Sequence, residues 1–229
     1  MRESTSGAME RTPNLRQLTA AQRFAYRQLR DRILLRNFSG QPLKSLLLTS
    51  ARSGEGTSTT IAYLALTFAE NPNCRGVLIV DACLSRPQQH RLFNVNQRPG
   101  LAEFLEEACA ASEVVKFSSC QHIHVMPAGD VPTELLARRA RFHEWLKTAY
   151  AEFDVVLIDT PSVAEATASE SLASIVDGIV LVVRANASPR NVLEEALQRL
   201  QVAGGNVVGM AMQDYVEYVP AFLRRRLSV

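Results

Sequence analysis

Six short apolar runs, "LKSLLLTS", "GVLIVDA", "HIHVMPAG", "DVVLIDTP", "GIVLVVRA" and "NVVGMAMQ", recur along the chain from Leu43 to Gln213, with helix-length segments between them. Strands that are apolar on both faces have no side to show to water, so they belong in a mostly parallel sheet whose crossover helices cover it. The pattern therefore predicts an α/β fold, a mostly parallel, doubly wound sheet with helices on both faces. In such sheets ligands sit outside the carboxyl ends of the strands. Three runs end in chemistry there: "LLLTS" enters a glycine loop, "VLIVD" delivers Asp81 and "VVLID" delivers Asp159.

The glycine loop is "ARSGEGTSTT", Ala51 to Thr60, between a strand-like run and a helix-like one. Gly54 and Gly56 lack a Cβ, so their backbone N–H groups can turn inward toward an anion. The helix beginning near Thr57 adds free N–H groups and the positive end of its dipole. A phosphate-binding loop of the pattern G-x-x-x-x-G-K-[ST] fails at Ala51 and at Thr57, where lysine is expected, but keeps Ser58 in the place of the Mg²⁺-binding hydroxyl. Ser53, Gly54, Glu55, Gly56, Thr57, Ser58 and Thr59 are the candidate nucleotide-binding residues. The alternative is an ordinary Gly/Ser turn. Ser58, Asp81 and Asp159 are the candidate metal ligands, being hard oxygen donors suited to Mg²⁺; a lone strand-end Asp also serves as a helix cap or turn former.

Composition excludes more than it proposes. The chain has 229 residues, 47% of them hydrophobic, which suffices for one α/β domain. A net charge of +2 gives no sign of a nucleic-acid partner. Cys74, Cys83, Cys109 and Cys120 form no C-x-x-C pair, and no run of about 18 apolar residues suggests a membrane span. With no signal-peptide pattern, a cytoplasmic location is expected. Residues 1–14 read as a flexible tail and 15–229 as a single nucleotide-binding domain. From Thr19 to about Asn37, apolar residues at Ala21, Ala25, Leu29 and Ile33 predict an amphipathic helix.

With these residues in view, the chain resembles the bacterial tyrosine kinases of capsule and exopolysaccharide synthesis, a branch of the MinD/ParA-like P-loop ATPases. "FAYRQLR" corresponds to the helix motif E-x-x-R-x-x-R, "TSARSGEGTST" to the Walker A loop, and "VLIVDACLSRPQQHRLF" to the second acidic motif with R-P-x-x-H. "RPGLAEFL", "VMPAGDVPTELL" and "FDVVLIDTPSV" follow in the family's order, the last as its Walker B strand. The departures fall at functional positions. Thr57 replaces the Walker lysine, Cys83 the second Asp of D-x-D, and Phe24 the Glu of the assembly motif, whose arginines are Arg27 and Arg30. Gln213 stands where the family places an asparagine near adenine.

The resemblance implies ATP or ADP with Mg²⁺, here weakly bound, with Asp81 and Asp159 catalytic if the protein is active. It also implies a membrane-embedded polysaccharide co-polymerase as partner, a peripheral place at the inner face of the membrane through that partner, and Tyr215 and Tyr218 as phosphoacceptors. Arg52, five residues before Thr57, is the candidate substitute for the lost lysine; its alternative is an exposed loop arginine. The losses together favour a regulatory, catalytically impaired protein, a monomer or small oligomer in solution. An active autophosphorylating tyrosine kinase is the second reading and a MinD/ParA-like positioning ATPase the third.

Overall fold

The computed structural model describes residues 13–35, 37–38, 41–130 and 133–214. A single 3-10 turn, Leu15–Gln17, leads into α1 (Ala20–Leu34), followed by a two-residue pair, β1 (Asn37–Phe38) and β2 (Gln41–Pro42). Then come β3 (Ser45–Ser50), α2 (Thr57–Ala69), β4 (Val77–Asp81), α3 (Gln89–Leu92), α4 (Leu101–Leu105), α5 (Ala111–Val114), β5 (Lys116–Phe117) and β6 (Ile123–Met126). The chain continues through α6 (Arg139–Glu152), β7 (Val155–Asp159), α7 (Ala168–Ala173), β8 (Gly178–Arg184), α8 (Arg190–Val202) and β9 (Val207–Gln213).

All six apolar runs are strands of one sheet of order β5-β6-β4-β7-β3-β8-β9, parallel except for the short edge strand β5. The two-residue elements β1, β2 and β5 were not read from the sequence, because two residues carry no periodicity. Within β3 the side chains alternate between two cores. Leu46 and Leu48 join Ile61, Leu64 and Phe68 of α2 and Ile33 of α1 on one face. Leu47 joins Phe142, Trp145 and Leu146 of α6 and Leu172 of α7 on the other. Each fully buried leucine contributes about 1.5–3 kcal/mol, which is why these strands carry no polar face.

Helix α1 starts where expected, with a capping box between Thr19 and Gln22. Its buried face differs from the predicted stripe, however. Ala21 and Ala25 are exposed, whereas Tyr26 and Ile33 are buried and Leu29 half-buried between them. The face is rotated toward Tyr26, whose ring packs at a tilt against Tyr63 of α2, with ring centroids 5.5 Å apart. A ring of that size outweighs the methyl of an alanine in choosing which side turns inward.

The motifs "RPGLAEFL" and "VMPAGD" lock together. The Glu103 carboxylate accepts from the N–H groups of Gly100, at 2.8 Å, and Asp130, at 3.2 Å. A Cβ on Gly100 would stand 2.3 Å from the Pro127 carbonyl oxygen. Glycine is required there by close approach of two backbones. Pro13 is already buried, and the Cys120 thiol donates to its carbonyl oxygen, so the chain is packed before Leu15.

Candidate nucleotide site

The site lies at the carboxyl ends of β3, β4 and β7. Asp81 and Asp159 are register partners on the adjacent parallel strands β4 and β7, and β7 also pairs with β3, the strand that feeds the glycine loop. The sheet thus brings together three segments far apart in sequence. Gly54 and Gly56 have φ of 83° and 89°, the left-handed region that a side chain strains. Gly56 is the N-cap of α2 and offers no side chain to cap it, so the N–H groups of the first turn face the cavity free of a cap.

Around this end is a cavity of about 310 Å³, bordered by Ser53, Gly54, the first turn of α2, Cys83 and Arg86. A larger groove of about 780 Å³ lies between α1 and β9, and the glycine loop does not border it; the two acids, both buried, line neither cavity. The smaller cavity has the phosphate-binding features. Thr57 is buried, and its hydroxyl has no hydrogen-bond partner among the described residues. An orphan hydroxyl beside uncapped helix N–H groups fits an incoming phosphate oxygen.

Both acids are buried. Asp81 accepts through Oδ2 from the N–H groups of Gln88 and Gln89, each at 2.9 Å, and through Oδ1 from Cys83 N–H at 3.2 Å. It therefore forms the turn after β4, the alternative role weighed for a lone strand-end Asp. Asp159 accepts from the Gln89 side-chain amide at 2.6 Å. Burial, and secondly repulsion from Asp159, push Asp81 up, to about 8, against the three backbone hydrogen bonds. Burial raises Asp159 as well, opposed by hydrogen bonds from Gln89 and Ser58. A pair of buried carboxylates in mutual repulsion is an arrangement that a divalent cation relieves. Among the described residues no group of three or more His, Cys, Asp or Glu gathers as a metal cage. Two carboxylates and a serine suit Mg²⁺, which keeps several of its waters.

The remaining predicted residues divide sharply. Glu55 is buried with its carboxylate turned into the protein, accepting from Arg52 N–H at 2.9 Å and from the Ser188 hydroxyl at the start of α8. It braces the loop rather than facing the cavity. Arg52 is exposed and does not border the cavity. The arginine that does border it is Arg86, whose guanidinium pairs with Glu165. The R-P-x-x-H motif contained Arg86 and Gln89, yet spacing alone assigned neither to the site, since both reach it through the turn that Asp81 builds. The Cys83 thiol also borders the cavity and is pushed up to about 11 by burial and then by the two aspartates, so it stays neutral. Gln213, at the end of β9, donates to the Thr60 hydroxyl at 2.8 Å above the start of α2. Phe24, Arg27 and Arg30 lie on α1, away from the cavity lining. Tyr215 and Tyr218 lie outside the described residues.

The model of the family described as cellulose biosynthesis protein BcsQ matches residues 43–202, from the start of the parallel sheet to the end of α8. Tyrosine-protein kinase YwqD of Bacillus subtilis is 31% identical over 194 residues, covering 82% of this chain and 78% of that protein. The chain belongs to the bacterial tyrosine kinases. Among solved structures, the kinase domain of the Escherichia coli tyrosine kinase ETK superposes with a TM-score of 0.78 at 23% identity, covering 93% of this chain and 92% of that one. The septum site-determining protein MinD of Pyrococcus horikoshii, solved with Mg-ADP, superposes with a TM-score of 0.62 at 19% identity, covering 80% and 76%. At these identities the two structures establish the fold alone, a mostly parallel sheet covered by helices that this chain shares with the kinase domain and with MinD.

Proposed function

We propose that the protein binds ADP or ATP with Mg²⁺ and acts in capsule or exopolysaccharide synthesis as a catalytically impaired, regulatory partner of a membrane-embedded polysaccharide co-polymerase. The observation that carries this reading is the buried Thr57, its hydroxyl unpartnered among the described residues, in the uncapped first turn of α2. The backbone N–H groups of Gly54 to Ser58 and the end of α2 would hold the phosphates. Ser58, Asp81 and Asp159 would hold Mg²⁺, directly or through water; bound there, the ion neutralises charge on the transferring phosphoryl group.

Position 57 carries no cation. A lysine aimed at the phosphates makes charge-assisted hydrogen bonds worth about 1.5–3 kcal/mol, and loss of a stabilising charge typically slows transfer about 100- to 1,000-fold. Binding survives better than turnover. The neutral Cys83 thiol removes a second charge from the metal side. The placement of Arg86 at the cavity favours a second reading, residual autokinase activity in which Arg86 and not Arg52 supplies positive charge.

Among the described residues no helix is long and apolar enough to cross a membrane. The proposed place is the cytoplasm, at the inner face of the membrane through the co-polymerase.

Calorimetry with ADP and ATP tests the reading. Micromolar or weaker Mg²⁺-dependent binding is expected, tightened about 10- to 100-fold in Thr57→Lys, with autophosphorylation returning in Thr57→Lys/Cys83→Asp. No heat in either wild type or Thr57→Lys makes the loop structural alone. Strong autophosphorylation of the wild type, lost in Arg86→Ala, selects the second reading.

A further inference from the structure

Gln89 bonds to both strand-end acids and to the backbone of Ser58. It is fully buried. Its backbone N–H donates to Asp81 Oδ2 at 2.9 Å. Its side-chain Nε2 donates to Asp159 Oδ2 at 2.6 Å and to the Ser58 carbonyl oxygen at 3.2 Å. Both of those partners are pure acceptors, so the NH₂ end of the amide must face them. The other end, Oε1, is buried with no hydrogen-bond partner among the described residues. A buried amide used purely as a structural lock would have both ends satisfied; this one is complete on the side that serves Asp159 and incomplete on the other.

We propose that Gln89 is a positioning residue that occupies Asp159 in the metal-free protein and competes with Mg²⁺ for it. The amide gives the buried carboxylate a donor when no cation is present and ties it to the first turn of α2 through Ser58. The amide holds Oδ2 of Asp159, and Mg²⁺ taken up at that oxygen exchanges the hydrogen bond for the metal's interaction. Gln89 thereby sets the Mg²⁺ concentration at which the phosphate site becomes competent. This inference rests on the nucleotide–magnesium reading above, and one arm of its test is independent of nucleotide.

Gln89→Met keeps the volume and removes both the donor and the acceptor. A net hydrogen bond corresponds to about 3- to 10-fold in an equilibrium constant. The Mg²⁺ concentration giving half-maximal ADP binding is expected to fall by that factor relative to wild type. Thermal unfolding with Mg²⁺ alone is the second arm. The variant is expected to unfold at a lower temperature than wild type in EDTA and to regain more than wild type does on Mg²⁺ addition. An equal drop in EDTA and in Mg²⁺, with the Mg²⁺ requirement unchanged, would make Gln89 a structural residue and overturn the proposal; a raised requirement, the sign of a residue that helps hold the metal, would overturn it as well. Failure of the wild type to bind ADP sinks the nucleotide reading and leaves the Mg²⁺-alone arm to decide Gln89. Should the variant fail to fold, the ¹⁵N side-chain amide signal of Gln89 in the wild type decides instead. It is expected to shift and to exchange faster on Mg²⁺ addition, and an unmoved signal refutes the exchange of partners.

Discussion

Arg27 of α1 forks onto Glu70 at the end of α2, Nε to Oε2 at 2.9 Å and Nη2 to Oε1 at 2.6 Å, within one chain. Arg30 reaches the same end of α2, donating to the Thr67 carbonyl oxygen at 2.7 Å. Both arginines of the motif that resembles the family's assembly helix thus have intramolecular partners, while Phe24, where that motif has its Glu, is exposed. An arginine engaged at home has less to offer a neighbouring subunit. Multi-angle light scattering at micromolar concentration is expected to show a monomer or small oligomer, and a stable ring would refute this. Arg30→Ala is expected to lower stability by about 1–2 kcal/mol, because a charged donor to the last turn of α2 is lost.

The acid pair makes Mg²⁺-free stability depend on pH with a definite sign. Asp81 is raised in the folded state, from 3.8 to about 8. Its contribution to stability is complete below the unfolded value and is lost as pH rises toward the folded one. In EDTA the melting temperature is expected to fall between pH 5 and 8 more steeply for wild type than for Asp81→Asn, which removes the charge and keeps one of the two acceptor oxygens. Burial depresses His90 and His124, which act in the opposite direction in both proteins, so the difference between the two proteins isolates the acid pair. Equal slopes would count against the coupled pair.

Glu55 joins the glycine loop to the β8–α8 connection through Arg52, Arg184 and Ser188. Glu55→Ala is expected to lower stability by about 1–2 kcal/mol, the cost of unpairing three part-buried donors. It should weaken ADP binding although the side chain points away from the cavity. Denaturant unfolding and calorimetry check the two effects, and unchanged binding would show that the loop holds its shape without this brace.

Gly100→Ala is expected to destabilise the fold by about 1–3 kcal/mol, because the new methyl meets backbone and not a movable side chain. Chemical denaturation measures it. A neutral result would mean that the two interlocked loops can separate at little cost.

The six parallel strands and the chemistry at their ends were legible because burial on both faces forces continuous apolar runs, and because a phosphate loop needs glycine at positions that sequence displays directly. Thr57, Cys83 and Phe24 were visible as departures for the same reason. The face on which α1 packs was not, since Tyr26 and the alanines satisfy similar spacings and only the ring of Tyr63 decides between them. Nor could the sequence separate Glu55 from its neighbours in the loop: which way a side chain points depends on Ser188, more than a hundred positions away. Arg86 and Gln89 were in plain sight within one motif, but what each touches is set by the turn around Asp81 and by the register of β4 against β7. Local sequence determines backbone preference and burial pattern, which are short-range; partners of polar side chains are chosen by the three-dimensional packing of strands and helices, and hydrogen bonds of under 3 Å are beyond what spacing along a chain can specify.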